Sequence, residues 1–277
     1  MSLFIASLNS GSNGNCYYVG NDTEAVLVDA GISCRETEKR MAKLGLEMER
    51  VKAIFISHEH TDHISGLPVL AKKYGLPVYI SENTLRNSRM ILPEQLVRHF
   101  NTASVNIGAL RVTAFEKLHD AADPYSFIIE GNEIKIGVLT DIGEACKQVV
   151  HYFKQCHAVF LESNYDEQML EKGGYPLHLQ KRISGGKGHL SNTEALELFV
   201  AHRAPYLSHL LLSHLSQQNN RPELVMDLFS PFADKVKIAV ASRHQQSPVY
   251  HIQHPAESIS SNKKLVPYRT VQYSLFE

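Results

Sequence analysis

The six residues His58-Glu59-His60-Thr61-Asp62-His63 constrain the fold of this 277-residue chain more than any other feature. Four of them are His or Asp, whose side chains bind metal ions. The apolar segment 51–57 precedes them and predicts a buried strand, and apolar residues at helical spacing follow between Ile64 and Tyr74. The six residues therefore lie on the loop that leaves a strand, where open sites are commonly built, and they can supply ligands to two ions.

The same pattern, an apolar strand followed by a ligand, recurs at three later places. The predicted strands 110–115, 134–139 and 210–212 lead to His119, Asp141 and His214. Taken singly, such a residue is more often a loop histidine or a turn aspartate than a metal ligand. Together with the first motif they make seven ligands, the number that two metal ions with an open water position would use. Asp141 is the natural bridging ligand, because a carboxylate has two oxygens.

The distribution of strands and helices predicts an α/β fold. Predicted strands cluster early and again late in the chain with helices between them, which is typical of a layered sandwich. No linker interrupts the chain before about residue 252, and from His254 onward it turns polar and irregular. The sequence thus predicts a single domain over residues 1–252 and a flexible tail over 253–277.

Composition excludes several classes of protein. The net charge of -1 excludes a generally basic nucleic-acid binder, and the four scattered cysteines argue against a disulfide framework. The first residues have no basic region or long apolar run, and no segment reaches the roughly 20 apolar residues of a membrane span. We therefore expect a soluble cytoplasmic protein that does not bind a membrane.

Two levels of family resemblance follow from these motifs. Residues 27–31, the 58–63 motif, His119, Thr140-Asp141 and His214 resemble, in this order, the metallo-β-lactamase fold. This resemblance implies a four-layer αββα sandwich. The segments 9–15, 118–124, 188–192 and 213–220 resemble the YycJ/WalJ-like family, which is similar to RNase Z and RNase J-type nucleases. Only 73 positions separate Asp141 from His214, which leaves no room for the clamp domain of the RNase J type.

The resemblance also implies roles for individual residues. His58, His60 and His119 would hold one metal ion, and Asp62, His63 and His214 the other, with Asp141 between them. His189 would donate a proton or contact phosphate, and Asp62 would help to orient it. The residues themselves, and not the resemblance, predict the substrate contacts: Lys181, Arg182 and Lys187 add local positive charge, and the helix that begins near Ser191 directs its N-terminus toward an anion. A solvated basic loop is the alternative, and Glu162 is either a supporting residue or a plain strand end.

The implied activity is that of a two-metal phosphodiesterase. Two divalent ions, Zn²⁺ or Mn²⁺, would hold a hydroxide that attacks the phosphodiester. The resemblance favours a 5′-to-3′ DNA exonuclease linked to DNA repair, with nucleic acid as partner and DNA favoured over RNA. The alternatives are an RNA-processing nuclease, a thioesterase or lactonase of the same fold, and a binding module without catalysis. Residues 118–124 lack the Gly-His-Thr/Ser-Pro-Gly-His-like motif of thioesterases and lactonases.

The last residues carry a separate prediction about a partner. The segment 272–276, with Gln272, Leu275 and Phe276, resembles the peptides with which bacterial repair proteins dock on the sliding clamp. A glutamine anchor followed by two apolar residues suits an apolar pocket. The alternative is a tail strand that packs on its own domain.

Overall fold

Two β-sheets face each other in the computed structural model, which describes residues 2–100 and 104–254. Each sheet has seven strands within these residues. Both sheets are mixed, because hairpins form one side of each and parallel strands the other. Helices cover the two outer faces, so the predicted α/β fold with four αββα layers is confirmed.

The first sheet comes from the first half of the chain and one late strand. Its spatial order is β14-β1-β2-β3-β4-β5-β6, and β3 to β6 run parallel. The strands are β1 (Leu3–Asn9), β2 (Cys16–Gly20), β3 (Ala25–Val28), β4 (Val51–Phe55), β5 (Val78–Ile80), β6 (Val97–His99) and β14 (Tyr250–Ile252). The helices of this half are α1 (Cys34–Lys43), α2 (Thr61–Ile64), α3 (Leu67–Tyr74) and α4 (Glu82–Ser88).

The second sheet comes from the remaining strands. Its spatial order is β13-β12-β11-β10-β9-β8-β7, and β10 to β13 run parallel. The strands are β7 (Ser104–Ile107), β8 (Leu110–Glu116), β9 (Tyr125–Gly131), β10 (Ile134–Leu139), β11 (Ala158–Glu162), β12 (His209–Ser213) and β13 (Lys237–Val240). The helices are α5 (Lys147–Phe153), α6 (Glu167–Lys172), α7 (Leu177–Ile183), α8 (Asn192–His202) and α9 (Pro222–Phe229).

The alternation of side chains along the strands divides the core into three layers. In β1, Leu3 and Ile5 face the second sheet, whereas Ala6 and Leu8 face the helices outside. Residues of both sheets fill the central layer, with Phe127 and Phe160 among them. The outer layers are closed by α1 and α3 on one side and by α5, α8 and α9 on the other. Both sheets are therefore buried on two faces, which leaves their strand ends as the place for an open site.

Most of the predicted strands are found with small differences at their ends. The predicted strand over 51–57 ends at Phe55, so its last two residues already belong to the ligand loop. The helix predicted after the motif is two helices, α2 and α3, with Gly66 between them. The edge strands β6 and β14 were not predicted, since each has three residues and forms only by pairing with a distant partner.

The last described strand ends at Ile252. The division into a domain of residues 1–252 and a tail stays a prediction, and the clamp-binding peptide 272–276 lies outside the described residues. Within residues 2–100 and 104–254, none of the helices has the length and hydrophobicity that crossing a bilayer requires.

Candidate metal centre

The predicted ligands come together where strands of both sheets end. His58 and His60 follow β4, and Asp62 and His63 lie in the short helix α2. The second sheet contributes the other three: His119 follows β8, Asp141 follows β10 and His214 follows β12. Parallel strands end on the same edge of a sheet, so separate segments of the chain deliver their side chains to one place.

Backbone conformation at three strand ends aims side chains at this place. Asp29, Asp141 and His214 each follow a strand by one or two residues and have φ values of 61°, 55° and 57°. Residues other than glycine seldom adopt this left-handed conformation, and it persists where the surrounding structure holds it. The chain thus turns sharply at these positions, and all three side chains point into the cluster instead of along the strand.

The ligand atoms form two sets of three. In the first, His58 Nε2 lies 3.0 Å from His60 Nδ1, which lies 3.4 Å from His119 Nε2. In the second, Asp62 Oδ2 lies 3.5 Å from His63 Nε2 and 3.4 Å from His214 Nε2. Within each set every potential ligand atom lies within 4.8 Å of the others. The structure therefore brings together all seven predicted ligand residues in the grouping that the resemblance implies.

Asp141 lies between the two sets. Its Oδ2 is 3.3 Å from His63 Nε2, and its Oδ1 is 3.9 Å from His119 Nε2. Oδ2 is buried and has no hydrogen-bond partner among the described residues. A buried carboxylate oxygen without a partner is costly, and a cation would satisfy it. This atom and the imidazoles around it fit a divalent metal ion.

Four of the histidines are held by a second contact on Nδ1, which leaves Nε2 for the cluster. His58 Nδ1 contacts Ser57 Oγ at 2.9 Å, and His119 Nδ1 donates to the Gly188 carbonyl at 3.0 Å. His63 Nδ1 donates to Asp29 Oδ2 at 2.7 Å, and His214 Nδ1 donates to Glu162 Oε1 at 2.9 Å. Such contacts set the tautomer and the orientation of a metal-binding imidazole.

Charge at the site also favours a cation. Burial by itself would lower the pKa of His63, but Asp141, Asp29 and Asp62 raise it well above its ordinary value. Burial likewise opposes the rise at His214, where the charge of Asp141 and the hydrogen bonds that His214 donates to Asp62 and Glu162 bring the pKa to about 10. The carboxylates are thus strong enough to retain protons on buried imidazoles. Divalent ions bound to these nitrogens would take the place of those protons.

Glu162 connects a ligand to the predicted proton donor. This fully buried residue at the end of β11 accepts from His189 Nδ1 at 2.8 Å and from His214 Nδ1 at 2.9 Å on the same oxygen. Burial would raise its pKa, but His189 and the hydrogen bonds lower it to about 2. Glu162, and not Asp62, is therefore the carboxylate that orients His189. The contacts of Asp62 are to Asn15, His63 and His214.

Sequence reasoning also missed Asp29, Asn15 and Lys117. Asp29 accepts from the Ser57 amide at 2.8 Å and from His63 Nδ1. Its role was missed even though it lies in one of the segments that carry the family resemblance. Asn15, from the glycine-rich turn after β1, places Nδ2 at 3.2 Å from Asp62 Oδ2. The Lys117 ammonium is buried and donates to the Thr140 carbonyl at 2.6 Å, and burial lowers its pKa.

The predicted substrate contacts have different positions. A pocket of about 230 Å³ opens over the ligands, and Arg182 lines it while paired with Asp120 at 2.5 Å. Lys181 and Lys187 are exposed on the same segment and, in the part of the chain described, do not line this pocket. Ser191 is buried, and its hydroxyl caps α8 by accepting from the Glu194 amide at 3.1 Å. This capping box occupies part of the helix N-terminus, and substrate contact by Ser191 stays a prediction.

Comparison with known proteins identifies the family. A model of the beta-lactamase superfamily domain matches residues 24–214. Exodeoxyribonuclease YycJ of Bacillus anthracis is 37% identical over 228 residues, which cover 81% of this chain and 86% of that protein. The chain belongs to the YycJ/WalJ family of the metallo-β-lactamase superfamily. Exodeoxyribonuclease WalJ of Streptococcus pneumoniae is 32% identical over 223 residues, covering 78% of this chain and 83% of the relative.

Solved structures agree on the fold of this YycJ/WalJ family member. YhfI from Bacillus subtilis superposes with a TM-score of 0.70 at 16% identity, over 91% of this chain and all of that one. The short form of human tRNase Z superposes with a TM-score of 0.61 at 18% identity, over 89% and 99% of the two chains. Family, fold and the His/Asp cluster together make the chain a metal-dependent hydrolase.

Proposed function

We propose that this protein is a two-metal nuclease that removes nucleotides from an end of DNA, in the 5′-to-3′ direction. One observation carries the proposal: seven His and Asp side chains from both sheets converge in one cluster, in which Asp141 Oδ2 is buried without a hydrogen-bond partner among the described residues. Two relatives that align over most of their length are named exodeoxyribonucleases, which supports DNA as the substrate. Zn²⁺ and Mn²⁺ both suit ligands of these types.

The residues of the chain would divide the reaction as follows. Divalent ions held there would supply a nucleophile from water at neutral pH and neutralise charge on the phosphodiester. His189, whose Nδ1 is held by Glu162, keeps Nε2 free to donate a proton to the leaving oxygen. His189 lines the same pocket as Asp62 and His214, with one fifth of its side chain exposed. It can therefore reach a substrate that the ligands bind.

The identity of the substrate is tested with metal-dependent digestion of end-labelled single- and double-stranded DNA and RNA. We expect products to appear one nucleotide at a time from the 5′ end of DNA. Faster release from RNA, or internal cuts, would contradict the proposal. Hydrolysis of bis-p-nitrophenyl phosphate, measured beside a thioester and a lactone, separates a phosphodiesterase from the carbon-centred alternative.

The role of His189 is tested by His189→Ala. Removing a positioned proton donor typically lowers turnover about 10²–10⁴-fold. Bound metal per chain, measured in parallel, should stay at the wild-type level. Loss of metal in this variant would instead make His189 a ligand, a role that its place in a group with Asp141, Glu162 and His214 allows.

The link to DNA repair, the cytoplasmic location and sliding-clamp binding through Gln272, Leu275 and Phe276 stay predictions from the sequence. A chain that ends at Tyr268 tests the clamp contact directly. It should bind the clamp far more weakly than the full chain, and equal affinity would contradict the prediction.

A further inference from the structure

A second cavity, of about 480 Å³, lies beside the pocket over the ligands. The two share a wall, because Ser10 and Leu215 line the second cavity while their neighbours Ser12 and His214 line the first. Ser10 Oγ also accepts from the His214 amide at 2.8 Å, so this wall is fixed to a predicted ligand. The rest of the lining joins the apolar side chains of Pro222, Val240 and Ala241 to polar ones, among them Asn220, Arg221 and Arg243.

Arg243 is the fixed positive charge of this cavity. Its guanidinium packs against the turn after β1, where Nη2 has one long contact of 3.5 Å to Asn13 Oδ1. Nη1 is buried and has no hydrogen-bond partner within the described residues. No carboxylate in the described part of the chain pairs with Arg243 or with Arg221. Burial lowers the pKa of Arg243, and the phenol of Tyr175, which lines the metal pocket, opposes this shift.

The contrast with Arg182 shows why this charge matters. Arg182 lies over the ligands, but Asp120 already neutralises it. A half-buried guanidinium without an acidic partner is costly unless an anion neutralises it. Asn13 in this turn contacts both the side chain and the backbone of Arg243, since Asn13 Nδ2 also donates to the Arg243 carbonyl at 2.9 Å. The cation is thus held in place beside the ligands and has no acidic partner among the described residues.

We propose that this cavity binds the substrate strand next to the scissile bond, with Arg243 and Arg221 contacting the flanking phosphate. The inference rests on the proposed nuclease function and extends it by naming the side from which the strand is held. A single phosphodiester fills only the metal pocket. A longer strand that is bound at the metal ligands extends past His214 into the second cavity. The protein would therefore select a polynucleotide over a small diester through residues outside the metal centre.

Binding without catalysis provides the first test. A fluorescent single-stranded oligonucleotide with hydrolysis-resistant phosphorothioate linkages is titrated with metal-loaded full-length protein, and anisotropy gives Kd. We expect Arg243→Gln to weaken binding about tenfold, the loss of one charge-assisted contact. It should also reduce the salt slope of log K by about 0.7. Arg98→Gln is the matched control, because Arg98 lies on β6 and its hydrogen bonds within the described residues go to the carbonyls of Gln95 and Val97. Equal Kd and salt slope for Arg243→Gln and the control would overturn the proposal.

Turnover provides the second test and separates this inference from the proposed function. The measured quantity is the ratio of kcat/KM for a short oligonucleotide to that for bis-p-nitrophenyl phosphate. We expect this ratio to fall about tenfold in Arg243→Gln and, independently, in the exposed Arg221→Gln, which guards against misfolding of the first variant. An unchanged ratio in both variants refutes the subsite. If the wild-type protein hydrolyses neither substrate, the nuclease proposal itself fails.

Discussion

Replacing Glu162 by glutamine should lower the affinity of the site for metal ions, although the two side chains have nearly the same shape. One carboxylate oxygen accepts from both His189 and His214, and the other accepts from the amides of Ile142 at 2.6 Å and Leu190 at 3.2 Å. All four partners are donors. A glutamine side chain must place its NH₂ group against one of these two pairs, so two hydrogen bonds are lost in either orientation.

The size of the effect follows from these contacts. Hydrogen bonds to a charged group contribute about 1.5–3 kcal/mol each, so the loss of the two histidine contacts costs about 3–6 kcal/mol in total. Part of this cost lowers the stability of the folded protein. The remainder lowers metal affinity, and removal of a carboxylate that holds a metal-binding histidine typically costs 10–100-fold. We expect a loss in that range at the set formed by Asp62, His63 and His214.

The assay is competition for Zn²⁺ with a chromophoric chelator, together with thermal unfolding of the same samples. Glu194→Gln is the control, since Glu194 also accepts a backbone N–H, from Ser191 at 2.8 Å, but caps α8 and contacts no predicted ligand. Glu162→Gln should lose affinity and Glu194→Gln should not. Zinc affinity of Glu162→Gln within about twofold of wild type would refute the assignment of Glu162 as the residue that holds His214.

Two further predictions concern other parts of the fold. Gly31→Ala should reduce the metal bound per chain, because its Cβ would lie 1.7 Å from the Asp62 carbonyl oxygen and displace this ligand-bearing loop. Gly174→Ala is the control, since a Cβ at that position meets open space. Equal metal content in the two variants would contradict the prediction. Burial lowers the pKa of His157 to about 4 from 6.5, and neutral Nδ1 accepts from the Lys135 amide. Its contribution to stability is therefore present above pH 6.5 and lost toward pH 4. Between pH 6.5 and pH 4, the free energy of unfolding should fall less in His157→Asn than in wild type. An equal fall in the two proteins would exclude His157 as a source of this pH dependence.

The ligand set was predictable from the sequence because each ligand follows an apolar strand. A buried strand fixes where its end lies, so residues just beyond several strand ends can be expected at one place. The prediction of His119, Asp141 and His214 needed only this rule and the motif at 58–63. The exact ends of strands matter little here, since the β4 strand stops two residues earlier than predicted without moving the ligands.

The supporting residues could not be found in the same way. Glu162 and Asp29 act through imidazoles more than 25 positions away, and nothing nearby in the sequence marks which nitrogen they contact. At Ser191 the sequence displays a capping box with Glu194, and those local hydrogen bonds engage the amides of Ser191 and Glu194. They reduce the number of N–H groups that this helix N-terminus offers to an anion. Arg243 was missed because the absence of an acidic partner among the described residues is a property of the folded chain and not of the sequence around it.

Each set of ligands takes residues from both sheets, and this arrangement couples metal supply to folding. The first set joins His58 and His60 to His119, and the second joins Asp62 and His63 to His214. A bound ion would thus act as a cross-link between the two halves of the sandwich. At a free concentration 100 times its Kd, an ion contributes about 2.7 kcal/mol to the free energy of unfolding. The lifetime of the folded protein in a cell would then follow the availability of the metal as closely as its catalysis does.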